Sequence, residues 1–249
     1  MIAAIRAEIR KLFSIRSTYV IFALGFLVSV GLMGFYNYGY KDAAQAATSS
    51  DALRIVFLNV VNVVSTLVAF SAILSVGHEY RYNTILYSLT SSKNRLKVFF
   101  GKWLVLVLYT IVAVIITALC AWLAFYVGQH MAHTHAMVQS VPIWDLVWRS
   151  LAATIAAVSY AYIITILARS LVASFAIFLV VPSMVEGLLT LLLKGNVKYL
   201  PFTALNNLLS TGGASSTAVP ATTSLQVVLL YVVAVGALAA FLFVDRDAN

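Results

Sequence analysis

Residues 77–102 read GHEYRYNTILYSLTSSKNRLKVFFGK. Uncharged apolar runs flank this stretch on both sides, residues 55–77 and 103–127. Each run is long enough for a helix to cross a bilayer core, which takes ~20 mostly apolar residues. The piece between them is too long for a tight turn and too polar for lipid. Two spans joined by a water-facing hairpin are therefore the expected unit.

Four more runs of this kind follow from the same criterion: residues 18–38, 150–168, 171–193 and 225–244. Of the six, only the fifth holds a charge, Glu186. Its Pro182 removes a backbone donor and crowds the preceding turn. A kink, or a re-entrant element after the fifth span, is expected there. The composition agrees with a bilayer protein. The chain has 249 residues, 62% apolar and 10% charged, against roughly 45–50% and about 25% in soluble domains. The fold class expected is an all-α membrane protein, one transmembrane domain over residues 1–249.

The net charge of +8 would suggest nucleic acid in a soluble protein, but its distribution points to topology instead. With the N-terminus inside, the inner pieces hold Arg6, Arg10, Lys11, Arg16, Arg81, Lys93, Arg95, Lys97, Lys102, Arg169 and Arg246. The outer pieces hold Lys41, Arg54, Arg149, Lys194 and Lys198. Eleven against five places both termini in the cytoplasm, which six spans require. Residues 1–16 show Ile2, Ile5, Ile9, Leu12 and Phe13 at helical spacing, with Arg6, Arg10 and Lys11 elsewhere. That pattern predicts an interfacial amphipathic helix on the lipid bilayer. The uncharged run 17–40 exceeds a signal-peptide core of roughly 7–15 residues and reads as a first span.

Chemistry-bearing residues are sparse. The single Cys120 excludes an intrachain disulfide and a cysteine metal cluster. His130, His133 and His135 share one loop, with no carboxylate before Asp145, and read as solvated rather than metal-binding. No Gly-x-x-x-x-Gly-Lys-Ser/Thr loop is present, so the chain itself binds no nucleotide by that means. Asn59, Asn62, Ser65 and Thr66 lie near one face of the second span. They either bond neighbouring helices or line a translocation path, which Glu186 could join. Ala153, Ala157, Ala161 and Thr165 form a small-residue ridge on the fourth span, suited to close helix contact within or between subunits. Asp145 and Arg149 are spaced as an i, i+4 pair. In the hairpin, Thr84–Leu89 can form a short helix with Ile85, Leu86 and Leu89 clustered. Its apolar edge packs either on its own bundle or on a partner groove.

The hairpin resembles the signature region of ABC-2 type permeases, the membrane-spanning subunits of ABC transporters. In that family an acidic residue at the inner end of the second span is followed by a Gly-Thr-Leu-like step. A leucine-rich turn and a Pro-x-Ser-Arg-like step then lead to a Gly-Lys. Glu79, Thr84-Ile85, Leu86, Leu89, Arg95 and Gly101-Lys102 occupy those places, with Asn83 where glycine is usual and Ser91 where proline is. Residues 7–22 and the Tyr199-Leu200-Pro201-Phe202 step are also similar to the family pattern.

The resemblance implies a permease without catalytic residues, metal or cofactor, in a prokaryotic cell membrane. A separate ATPase would bind the ATP, and a second permease copy or paralogue would complete the pore. Residues 78–102 would be the coupling segment. Leu86 and Leu89 would anchor in the ATPase groove, Arg81, Lys93 and Arg95 would steer docking, and Glu79 would pair with a cation. Three competing classes differ in what they require. A secondary transporter or channel needs ionisable groups at mid-membrane, where only Glu186 approaches. An intramembrane enzyme needs a nucleophile–base or metal constellation, which the runs lack. A non-transporting anchor needs neither.

Overall fold

The structure is a computed structural model and describes residues 8–12, 16–39, 50–85, 87, 94–132, 143–210 and 219–245. In lipid, backbone polar groups must find partners within the chain, which favours helices. Among the described residues every regular element is helical. The α-helices are α1 (Arg16–Gly39), α2 (Ser50–Arg81), α3 (Arg95–Ala132), α4 (Ile143–Ala168), α5 (Leu171–Val180), α6 (Glu186–Leu193), α7 (Pro201–Leu209) and α8 (Ala221–Asp245). A π-turn, Val181–Val185, joins α5 to α6, and a 3₁₀ segment, Lys194–Tyr199, precedes α7. Five stretches are long and apolar enough to cross a membrane: Val56–Arg81, Arg95–Val127, Ile143–Ala168, Leu171–Leu193 and Ala221–Asp245. A shorter apolar stretch, Thr18–Met33, lies within α1. The chain has the architecture of a multi-pass helical membrane protein.

Helix ends overshoot the apolar runs. α2 continues to Arg81, and α3 starts at Arg95 rather than at residue 103. Local chemistry sets these ends. Asn83 takes a left-handed φ of 54° just after α2, a conformation asparagine tolerates better than most residues. Asn94 then caps α3, its side-chain oxygen accepting from the backbone N–H of Leu96 at 3.0 Å and of Lys97 at 3.3 Å.

α4 is the central helix, in contact with α2, α3, α5, α7 and α8. Fourteen of its 26 residues are buried. Ala153, Ala157, Ala161 and Thr165 are all among them, so the small-residue ridge is consumed inside the chain. Interior hydroxyls return to their own helix: Thr154 donates to Ser150 O, Thr165 to Ala161 O, and Thr110 to Leu106 O. That matches these three donors within their own helices, whereas the Tyr109, Tyr160 and Ser224 hydroxyls are buried with no hydrogen-bond partner among the described residues.

Only Arg169 and Ser170 separate α4 from α5, and Arg169 adopts φ 50°. Ser170 caps α5, accepting from Ala173 N. This short reversal brings Leu171 against α2 at Gly77. A Cβ on Gly77 would lie 2.6 Å from Leu171 Cδ1 and 3.2 Å from its Cα.

Pro182 does not end the fifth span. The π-turn absorbs the missing donor, with the Glu186 N–H bonded to Val181 O, and the helix runs on to Leu193. The chain reverses only afterwards, so that α7 begins beside Glu186. α7 buries Phe202, Ala204, Leu205, Leu208 and Leu209.

The Gly77 contact is testable. Gly77→Val should lower stability in detergent by about 1–3 kcal/mol through overpacking against the Leu171 backbone. Gly25→Ala, whose Cβ would stay 3.9 Å from Val64, should be close to neutral. Thermal unfolding midpoints of the two variants provide the comparison.

Candidate functional site

The hairpin identified from sequence is rooted in a cluster of four charges, two buried and two partly exposed. Glu79 lies near the end of α2 and Lys102 two turns into α3, both on faces turned into the bundle. Their side chains are 2% and 3% exposed. Lys102 Nζ donates to Glu79 Oε1 at 2.6 Å and to Glu8 Oε1 at 2.6 Å. Lys11 also donates to Glu79 Oε1. Helical residues 8–12 thus pack against the roots of both spans, with Leu12 buried and its carbonyl accepting from Thr18 Oγ1.

Two ammonium groups balance two carboxylates, so the cluster is formally neutral. Neutrality and mutual hydrogen bonding are what make buried charges tolerable. Glu79 Oε2 is buried and has no hydrogen-bond partner among the described residues. Directly above, Tyr162 of α4 is fully buried and donates its hydroxyl to Phe99 O at 2.8 Å. Arg95 Nη1 donates to Val244 O at 2.9 Å, which satisfies a carbonyl at the end of α8.

The sequence-predicted coupling residues separate into three groups. Glu79 is interior and ion-paired. Arg81 and Thr84 are exposed, with the Arg81 guanidinium 5.6 Å from the Tyr82 ring centroid. Ile85 is 4% exposed and belongs to the core, so at this residue the apolar edge packs on its own bundle. It follows the left-handed Asn83 by two residues. Tyr82 and Tyr87 are exposed aromatics there. Leu86, Leu89, Ser91 and Lys93 lie outside the described residues.

Three features escaped the sequence reading: the roles of Glu8, Lys11 and Lys102. The apolar periodicity of residues 1–16 suggested that Lys11 faces lipid headgroups, whereas it reaches the interior carboxylate. An available signal was charge balance, since Glu8 and Glu79 are the only acids on the strongly basic side apart from the two C-terminal aspartates.

The opposite end of the bundle carries a second cluster. Arg54 Nη2 donates to Asp145 Oδ2 at 2.7 Å, and Arg149 Nε donates to Asp145 Oδ1 at 2.9 Å. The i, i+4 pair is formed, and Arg54 of α2 joins it. Arg149 Nη1 also reaches Ser210 O at the end of α7, at 3.1 Å. Glu186 has a structural occupation. It is 4% exposed, and its carboxylate accepts from Phe202 N at 2.9 Å, Thr203 N at 2.6 Å and Thr203 Oγ1 at 2.7 Å. It therefore caps α7, an anion at a helix N-terminus.

Of the candidate path residues, Asn59 is exposed while Asn62 and Thr66 are half-buried. The Asn62 carbonyl accepts from Ser65 and Thr66 hydroxyls within α2. His130 packs its ring 4.7 Å from that of Tyr126; His133 and His135 lie outside the described residues. No cluster of three metal-ligating side chains occurs among the described residues. What the described residues of the site form is an electrostatic fastening.

These features define a multi-pass helical membrane protein whose span roots are joined by buried charge. A family model described as "Protein of unknown function (DUF2705)" matches residues 15–248, and the chain belongs to that family. None of the curated proteins compared with it matches.

Breaking the tetrad on one side should be costly. Glu79→Leu leaves Lys102 with one carboxylate where it had two, and should destabilise by about 3–5 kcal/mol. Adding Lys102→Met removes the second buried charge and restores formal neutrality, with the partly exposed Glu8 and Lys11 left, and should recover most of that loss. A thermal-shift double-mutant cycle in detergent measures the coupling.

Proposed function

We propose that this chain is the permease subunit of an ATP-driven ABC transporter of the ABC-2 type, working as an exporter with a separate ATPase. In this reading α1 is a sixth span. Its 24 residues extend for about 36 Å, enough to cross the bilayer. Residues 1–16 lie at the inner interface as an amphipathic helix, and both termini are cytoplasmic in a prokaryotic cell membrane. A second permease copy or paralogue completes the transporter.

The observation that supports this reading most is the charge cluster at the hairpin roots. A push on residues 82–94 meets α2 through Glu79 and α3 through Lys102 together, and the N-terminal helix through Glu8 and Lys11. A loop fastened this way transmits displacement to two spans at once. That is what an external motor needs. ATP binds the closed ATPase dimer better than the open one, and linkage shifts the attached bundle between two states. Leu86 and Leu89 serve as apolar anchors, Arg81 and Arg95 flank them, and Thr84 sits exposed at the tip. Asn59, Asn62 and Thr66 belong to the path side of α2.

Co-purification from native membranes tests this. A partner ATPase carrying a phosphate-binding loop should be recovered with the chain, and its recovery should fall at least tenfold on Leu86→Asp plus Leu89→Asp. Equal recovery with both variants, or cysteine labelling that places residues 84–89 outside the cell, would refute the assignment.

A further inference from the structure

We propose that the bundle holds one acyl chain of an anionic phospholipid in a groove between α3, α4 and α8, with the headgroup on the basic rim of α3. The inference needs only the bilayer and is independent of any ATPase.

The groove has a volume of ≈ 270 Å³ and an almost wholly apolar lining. Phe99, Phe100 and Trp103 of α3 form one wall, Tyr162 of α4 the back, and Val233 and Gly236 of α8 the other wall. The two polar groups on these side chains are already engaged. Tyr162 donates its hydroxyl to Phe99 O, and Trp103 Nε1 donates to Ser159 Oγ at 3.0 Å. The groove therefore offers a prospective occupant contact and shape, with no hydrogen bonds. Gly236 keeps it open: a Cβ there would meet only Ile163 Cδ1, at 3.5 Å.

Depth and charge select the occupant. Arg95 and Lys97 lie one turn before Phe99 and Phe100 on α3, and Phe99 to Trp103 lie about 6–12 Å further along the axis than Arg95. Each headgroup layer is ~5–8 Å thick, the difference between a core of about 30 Å and a bilayer of about 40–45 Å. A phosphate at the level of Arg95 thus puts the first methylenes of its chains at Phe99. Asp245 is the described acid at this rim. The described residues at this end nevertheless include Arg10, Lys11, Arg16, Arg81, Arg95, Lys97, Lys102 and Arg169 against Glu8, Glu79 and Asp245, and the interior cluster consumes both glutamates and two of the lysines, Lys11 and Lys102. An anionic headgroup is favoured on such a surface, and a zwitterionic one much less so.

Native mass spectrometry of the full chain in detergent, titrated with dioleoylphosphatidylglycerol or dioleoylphosphatidylcholine, tests the proposal. One phosphatidylglycerol should remain bound at activation energies that strip the others, with at least fivefold preference over phosphatidylcholine. Gly236→Leu, which fills the groove, should abolish that last adduct. Arg95→Gln should keep an adduct but bring the preference close to one. A variant retaining Trp103 as its sole tryptophan adds a readout that does not depend on full stability. Brominated phosphatidylglycerol should quench it at a lower lipid ratio than brominated phosphatidylcholine, and Gly236→Leu should remove the difference. An unchanged adduct count in Gly236→Leu overturns the proposal. So does a lipid-free dimer that Gly236→Leu dissociates, which would make a second copy the occupant.

Discussion

Lys102 sits between Glu8 and Glu79 at 2.6 Å from each, and Glu79 also takes Lys11. Glu79 and Lys102 are buried, so removing either strands a charge in the interior at a penalty well above the value of an exposed pair, whereas Lys11 and Glu8 reach solvent. The cluster therefore restricts three segments to one mutual arrangement: residues 8–12, the end of α2 and the start of α3. It also lets α2 and α3 extend past their apolar runs without exposing charge to lipid. The hairpin inherits its position from this arrangement more than from its own residues.

α2 is held by charge at both ends. Glu79 fastens one, and Arg54 with Asp145 the other. Between those points α4 packs with alanines and threonines whose hydroxyls are satisfied within the helix. The rigid part of the molecule is thus α2 with α4. By contrast, the span Leu171–Leu193 and α8 present much of their surface outward, including Val172, Leu188, Leu192, Leu230 and Phe241. A tightly fastened centre with lipid-facing flanks lets force applied at one end reach the other through packed side chains.

Much of this was legible in the sequence, because span length and loop charge are local properties. Residues 171–193 emerged as a span with matching limits, and Pro182 marked the irregular turn inside it. What could not be read depends on chain reversals. The partners of Glu79 are 23 and 68 residues away, so its cations could not be named from spacing. Glu186 was conspicuous as the one acid within a run, yet its task arises only because α7 returns beside it. The packing of Ile85 stayed open between its own bundle and a partner groove, because helical clustering says which residues share a face but not where the chain aims that face.

The wide turn at Val181–Val185 has a geometric corollary. A π-turn holds one residue more than the α-helical count, and each residue of an α-helix turns the chain by about 100°. The two halves of this span are therefore phased separately: the first half points Ser174 and Phe178 inward, and the second points Glu186 inward. The extra residue is taken up within the turn, so a chain one residue shorter there would form a regular α-helix with the carboxylate still facing inward. The wide turn itself holds Glu186 inward: the same residues wound as unbroken α-helix would swing its carboxylate by about 100° toward the fatty acyl side.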